Sequence, residues 1–175
     1  TSQPLPTRPV LLGWSNGSMV AQLVAQLHPE QLSALILYGY PWDPDAVIDH
    51  DADSTSPAPR RRNTRAAAAT DFVSPAVTSP RTVAAYATAA LKADPILAEW
   101  RAYDQFNALN PARVAVPTLL LQGERDPAPE SALQRLFSRL GTRDKQWVTL
   151  IGGDHAALLE DTTPTFVDAM VRFLH

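Results

Sequence analysis

The chain has 175 residues, 45% of them apolar, a net charge of −3 and no cysteine. That length supports one domain with a real core. The mild negative charge gives no field for holding nucleic acid or an anionic membrane. Disulfides, thiolate catalysis and zinc–thiolate sites are excluded. No apolar run approaches the roughly 20 residues of a membrane span. The polar, proline-rich Thr1–Pro9 stretch lacks the apolar centre of a signal peptide, so a cytoplasmic location is expected.

The first zone, residues 1–40, reads as strand, helix, strand. Val10–Leu12 is a short apolar run ending at Gly13. From Ser18 to His28 the apolar residues Met19, Val20, Leu23, Val24 and Leu27 fall at helical spacing, as one stripe. Ala34–Tyr38 is a second continuous apolar run, stopped by Gly39. Two strands apolar throughout, joined by a helix, predict a parallel sheet covered on both faces.

The second zone, residues 41–115, changes character. Asp43–Arg62 has no periodicity and reads as a surface excursion, with Arg60–Arg62 a solvated loop face. Helices are predicted over Asn63–Phe72, Pro80–Lys92 and Pro95–Phe106, with Thr64, Ser79 and Asp94 as start signals. The third zone, residues 116–175, returns to alternating elements. Strands are expected at Pro117–Leu121 and Gln146–Ile151, and helices at Ser131–Leu140 and Thr163–Leu174.

Gly13-Trp14-Ser15-Asn16-Gly17 matches G-x-S-x-G between a strand and a helix, which is the context that motif requires. Ser15 is then a nucleophile on a sharp turn. Both glycines relieve crowding between strand and helix. The Asn16 backbone N–H at the helix start is the expected oxyanion donor. A serine hydroxyl needs a base. Of the four histidines, His28 ends a helix, His50 lies in the irregular excursion and His175 is the last residue. His155 follows a strand and Gly152-Gly153-Asp154, and is the expected base, with Asp154 orienting its loop. The base needs a carboxylate to fix its tautomer. Asp126, directly after a strand, is expected to supply it. Asp43 and Asp45 are its rivals.

Three stretches, Val10–Ala21, Val116–Pro127 and Gly152–Asp161, resemble the nucleophile elbow, acid turn and histidine loop of the α/β-hydrolase superfamily. The order Ser15, Asp126, His155 is also that family's order. The resemblance implies an α/β fold: the C-terminal half of an α/β-hydrolase, with residues 41–115 as an inserted, mainly helical cap. The family's sheet normally has further strands before the elbow and draws its second oxyanion donor from an early loop. Here the elbow begins at Gly13. The expectation is an N-terminal half on a separate or cleaved chain, with a shortened fold as the remaining possibility.

The implied activity is hydrolysis of an ester or amide of a small to medium apolar acyl substrate through an acyl-enzyme on Ser15. Trp14, Tyr40, Tyr86, Trp100, Tyr103 and Phe106 are expected around the substrate. The alternatives are an acyltransferase or thioesterase using the same triad, or a non-catalytic binding module. No cofactor or metal is implied, since the histidines are scattered.

Overall fold

In the computed structural model, which describes residues 8–49, 56–74 and 76–175, the apolar runs form a parallel sheet. Strands β1 (Val10–Trp14), β2 (Ala34–Tyr38), β5 (Thr118–Gly123) and β6 (Lys145–Leu150) lie in the order β1-β2-β5-β6. Leu12 pairs with Ile36, Ile36 with Leu119, and Leu120 with Trp147. β2 and β5 are buried at every position because helices cover both faces. Side chains alternate along each strand. Leu35, Leu37 and Leu120 therefore pack against helices α1 (Asn16–Leu27) and α4 (Glu130–Arg139). Ile36, Tyr38, Leu119 and Leu121 pack against helix α5 (Thr163–Leu174) on the other face.

The stripe expected on α1 is corrected. Met19 is buried, but Val20 and Leu27 are 42% and 58% exposed. The inward face instead carries Ser18, Ala21, Gln22, Ala25 and Gln26. The two glutamines are tolerated because a hydrogen-bond chain satisfies them. The Tyr40 hydroxyl donates to Gln22 Oε1 at 2.6 Å, Gln22 Nε2 to Gln26 Oε1 at 2.9 Å, and Asn110 N–H to Gln26 Oε1 at 2.8 Å.

Between β2 and β5 the chain is less helical than expected. Thr64 caps a helix, but α2 (Arg65–Ala68) is short and passes into a 3-10 turn at Ala69–Asp71. Ser79 caps α3 (Pro80–Ala93) as predicted, its hydroxyl accepting from Thr82 N–H. Asp94 ends that helix, its N–H bonding to Ala90 O, rather than starting another. The helix expected over Pro95–Phe106 is replaced. Ile96–Ala98 forms strand β4, antiparallel to β3 (Arg60–Arg62), and Ala102 sits at φ 55°, which a helix does not allow. A 3-10 turn at Tyr103–Ala108 follows. Arg60–Arg62 is thus an exposed strand, not a loop. His50, and the part of the Thr1–Pro9 stretch before Arg8, lie outside the described residues.

Candidate functional site

The carboxyl ends of the parallel strands are where this class of sheet holds its ligands. β1 delivers Ser15 there. Its N–H donates to Tyr38 O at 3.0 Å, and its backbone is at φ 54°, ψ −131°, a strained setting for a residue with a Cβ. The two motif glycines differ in role. A Cβ on Gly13 would lie 2.5 Å from Gly17 O and 2.7 Å from the Ala21 Cβ, so the strand and helix meet only if this residue is glycine. A Cβ on Gly17 would meet nothing within 4 Å, which corrects the expectation that both relieve crowding. Asn16 opens α1, so its backbone N–H is among the unpartnered donors of a helix start. Its side-chain Nδ2 donates to the Tyr103 hydroxyl at 3.3 Å.

β5 delivers Asp126 and the turn after β6 delivers His155. Asp126 Oδ2 lies 2.8 Å from His155 Nδ1, with the acid side chain 1% and the imidazole 15% exposed. Asp126 Oδ1 accepts the Ala128 N–H at 3.0 Å, which fixes the carboxylate. The imidazole is under opposing influences. Burial pulls its pKa down, but the hydrogen bond and charge of Asp126, with Asp71 and Asp154 behind, outweigh it and hold the pKa above the ordinary histidine value. Trp14 Nε1 donates to His155 O at 2.7 Å, and the two rings lie 5.8 Å apart. The structure therefore joins Asp126 to His155 and sets His155 against the residue before Ser15. Among the described residues no hydrogen bond links Ser15 Oγ to His155.

Gly39 completes the geometry and is missed by the sequence reading, which uses it only as a strand stop. It has φ +56°, and a Cβ there would lie 3.0 Å from His155 Nδ1 and 3.1 Å from Asp126 Oδ2. The Tyr38 hydroxyl is missed as well. It donates to Asp154 O and accepts the Ala157 N–H at 2.9 Å, bracketing His155. A tyrosine ending an otherwise aliphatic strand was the available signal.

The rival acids are occupied elsewhere. Asp43 pairs with Arg135 at 2.5 Å, and Asp45 with Arg139 at 2.6 Å, both arginines being on α4. The hydrogen bond from Arg135 holds Asp43 below its usual value. His28 faces Glu30 at 3.7 Å and is exposed, and His175 is exposed.

The aromatic residues divide. Tyr103, Trp100 and Phe106 cluster with centroids 6.0 to 6.4 Å apart, reaching Asn16 through Tyr103. Tyr86 packs edge-on against Phe72 and bonds Asp71; burial first, and then that bond, push its hydroxyl up to about 12. Tyr40 is 1% exposed and bonded to Gln22, a core residue rather than a pocket wall.

A cavity of about 200 Å³ lies directly on the pair, lined by Gly39, Pro41, Asp126, Pro127 and His155. A second, about 550 Å³, lies between α2 and α3, with Ala66, Ala69, Phe72, Val83 and Ala84 on its walls. A larger one near Arg8, Glu30 and Val116 is at the opposite end of the strands from Ser15. Among the described residues no group of His, Asp or Glu is placed to hold a metal ion, and no helix is long and apolar enough to cross a membrane.

Comparison with known proteins follows the same lines. No curated protein sequence matches the chain. Among solved structures, it is similar to a serine hydrolase involved in carbazole degradation (CarC enzyme), at 18% identity and TM-score 0.62, covering 98% of this chain and 65% of that one. It is similar to a Paleococcus ferrophilus monoacylglycerol lipase, at 19% identity and TM-score 0.63, covering 95% and 68%. A thioesterase domain from the curacin biosynthetic pathway matches at 21% identity and TM-score 0.60, covering 98% and 68%. The chain thus spans about two thirds of the length of these structures, and at such identities they speak for the fold. Residues 2–162 match the family described as serine aminopeptidase, S33. With a parallel sheet, a G-x-S-x-G elbow and a fold shared with lipases and esterases, the chain belongs to this α/β-hydrolase family.

Proposed function

We propose that the chain carries the catalytic half of a serine hydrolase that cleaves an ester or amide of a small to medium apolar acyl group. The observation that carries this reading is the Asp126–His155 pair, 2.8 Å apart, lying over Gly39 with His155 against Trp14, the residue before the strained Ser15. In this reading Ser15 Oγ attacks the carbonyl carbon while His155 Nε2 takes its proton. Asp126, on Nδ1, holds the tautomer and stabilises the imidazolium. The Asn16 N–H stabilises the oxyanion. His155 returns the proton to the leaving group, then activates water to release the acid and free Ser15.

Residues 41–115 act as a cap. The alanine-lined cavity between α2 and α3 and the Trp100–Tyr103–Phe106 cluster fit an apolar acyl chain better than a charged one. The second oxyanion donor and further strands come, in this reading, from an N-terminal half that pairs with the edge of β1 opposite β2. Support for that half is the exposure of Val10 at 38% and Leu12 at 40% on the outermost strand, and the two-thirds coverage of the matched structures.

The test is turnover of a graded series of p-nitrophenyl esters by the purified protein, with and without added alcohols and amines. Release of free acid at a rate that depends on Ser15 supports the reading. Transfer to the added nucleophile in preference to water would make the protein an acyltransferase. No Ser15-dependent turnover of any ester or amide would refute it.

A further inference from the structure

The residue before the base is a carboxylate whose bonds are fully committed. Asp154 is 0% exposed. Its Oδ1 accepts the Ala156 N–H at 2.8 Å, its own N–H donates to Glu160 Oε2 at 3.0 Å, and its carbonyl accepts the Tyr38 hydroxyl. These three bonds stay within the sheet end and the histidine loop. The fourth does not. Oδ2 accepts the backbone N–H of Ser74 at 2.5 Å, and Ser74 belongs to the segment between β2 and β5. Arg125 fastens the same junction, with Nη1 3.2 Å from Ser74 Oγ and its backbone N–H donating to Gly153 O at 2.9 Å. Asp161 N–H reaches Val77 O at 3.4 Å nearby.

A carboxylate so deeply buried is tolerable only when donors surround it. Here the donors come from two parts of the chain that share no other covalent neighbourhood. Asp126 already supplies the charge His155 needs, so the fold retains a second buried acid beside the base without an evident chemical step for it. Its geometry is that of a strap. Glu160 limits the cost. Burial, and then the neighbouring Asp154 carboxyl, push Glu160 up to about 7, so near neutral pH it is only partly ionised.

We propose that Asp154 is a positioning residue: by holding Ser74 with one oxygen and Ala156 with the other, it couples the seating of the inserted segment to the placement of His155. The proposal rests on the reading of Ser15, Asp126 and His155 as hydrolase machinery. The base is then correctly set only while the insertion is docked, so that substrate contacts made on the insertion are felt at the base.

The test is the rate of Ser15 labelling by a fluorophosphonate across pH, in the parent and in Asp154→Asn, with amide hydrogen exchange at Ser74 and Ala156. Asparagine keeps the size but faces one of the two N–H donors with an NH₂. Labelling is expected to slow by about 10- to 100-fold, the scale of a small misplacement of a reacting group. kcat falls with it while KM stays near the parent value. The pH midpoint moves down, because a negative charge that favours protonated His155 is gone. Ser74 loses its protection. In the parent, the Ser74 and Ala156 amides exchange slowly and through one opening event, although the adjacent Val73 is 44% exposed.

Parent-like labelling rate and midpoint in a variant whose Ser74 is deprotected would overturn the coupling. So would a parent in which Ser74 and Ala156 open independently, and that measurement decides the matter if Asp154→Asn does not fold. A parent whose Ser15 stays unlabelled refutes the hydrolase reading instead, and the paired protection still tests the strap.

Discussion

At the residue scale, the site is defined by what each side chain is denied as much as by what it touches. Ser15 is held at positive φ, and Gly39 has no Cβ, so that His155 and Asp126 can lie against it. Gly39→Ala places a methyl 3.0 Å from the imidazole and strains the backbone, by about 1–2 kcal/mol for the left-handed conformation alone. It is expected to lower both the melting temperature and kcat. A variant that loses stability with kcat intact would show that the close approach has no bearing on the base. Asp126→Asn should cut kcat by about 10⁴-fold with the fold retained, the scale seen when a triad acid can no longer set the tautomer. For the pH profile, the proposed mechanism needs His155 neutral. Its pKa is held above the ordinary 6.5, so activity rises with pH and its midpoint lies above that value. A kcat/KM profile with its midpoint below 6.5 would contradict the arrangement.

At the element scale, the parallel strands were legible because uninterrupted apolar runs such as Ala34–Tyr38 and Thr118–Leu121 have no other stable home. The elbow, acid turn and histidine loop could be read as short local patterns tied to strand ends. Helix α1 was legible in position, with Met19, Leu23 and Val24 packed on the core, but its buried face was legible only in part. Its apolar periodicity points to one face, while the buried face is chosen by a Tyr40–Gln22–Gln26 chain that exists only in three dimensions. Likewise Ile96–Ala98 pairs with Arg60–Arg62 across more than 30 positions, and no window of sequence holds both.

The histidine loop carries its own pH signature. Glu160 is raised in the folded protein to about 7 from an ordinary 4.5, so the folded state holds a proton that the unfolded state releases over that interval. Its contribution is fully present below the ordinary value and is lost as pH rises through about 7. Thermal melts should therefore weaken with rising pH in this window, and Glu160→Gln should flatten that part of the curve. Equal slopes in the two proteins would mean that Glu160 titrates normally. The Asp43–Arg135 and Asp45–Arg139 pairs on α4 are partly exposed and should matter little. Replacing both arginines with alanine is expected to leave the midpoint of a denaturant melt nearly unchanged.

At the scale of the whole molecule, apolar side chains are left exposed on the outermost strand β1 and on the outer sides of the helices covering both faces of the sheet. Val10 and Leu12 on the outermost strand, Val20 and Leu27 on α1, and Val167 and Val171 on α5 are all well exposed. Among the described residues β1 has a partner on one side only, and a parallel strand with an open edge invites pairing. The proposed N-terminal half would add strands there and complete the oxyanion site. Under denaturing conditions, the intact masses of the purified material should reveal either a second polypeptide or a longer chain. Where that half is bound, Leu12→Lys should weaken its association, as read by sedimentation. Association unaffected by Leu12→Lys would place the partner elsewhere.

The central claim is that Ser15 is a nucleophile driven by His155 and Asp126, and covalent mapping tests it most directly. The purified protein is treated with a fluorophosphonate, digested, and the adduct located by mass spectrometry. One adduct is expected, on Ser15, formed at a rate that falls sharply in Asp126→Asn and vanishes in Ser15→Ala. An adduct on another serine, or labelling of Ser15 that ignores the loss of Asp126, would contradict it.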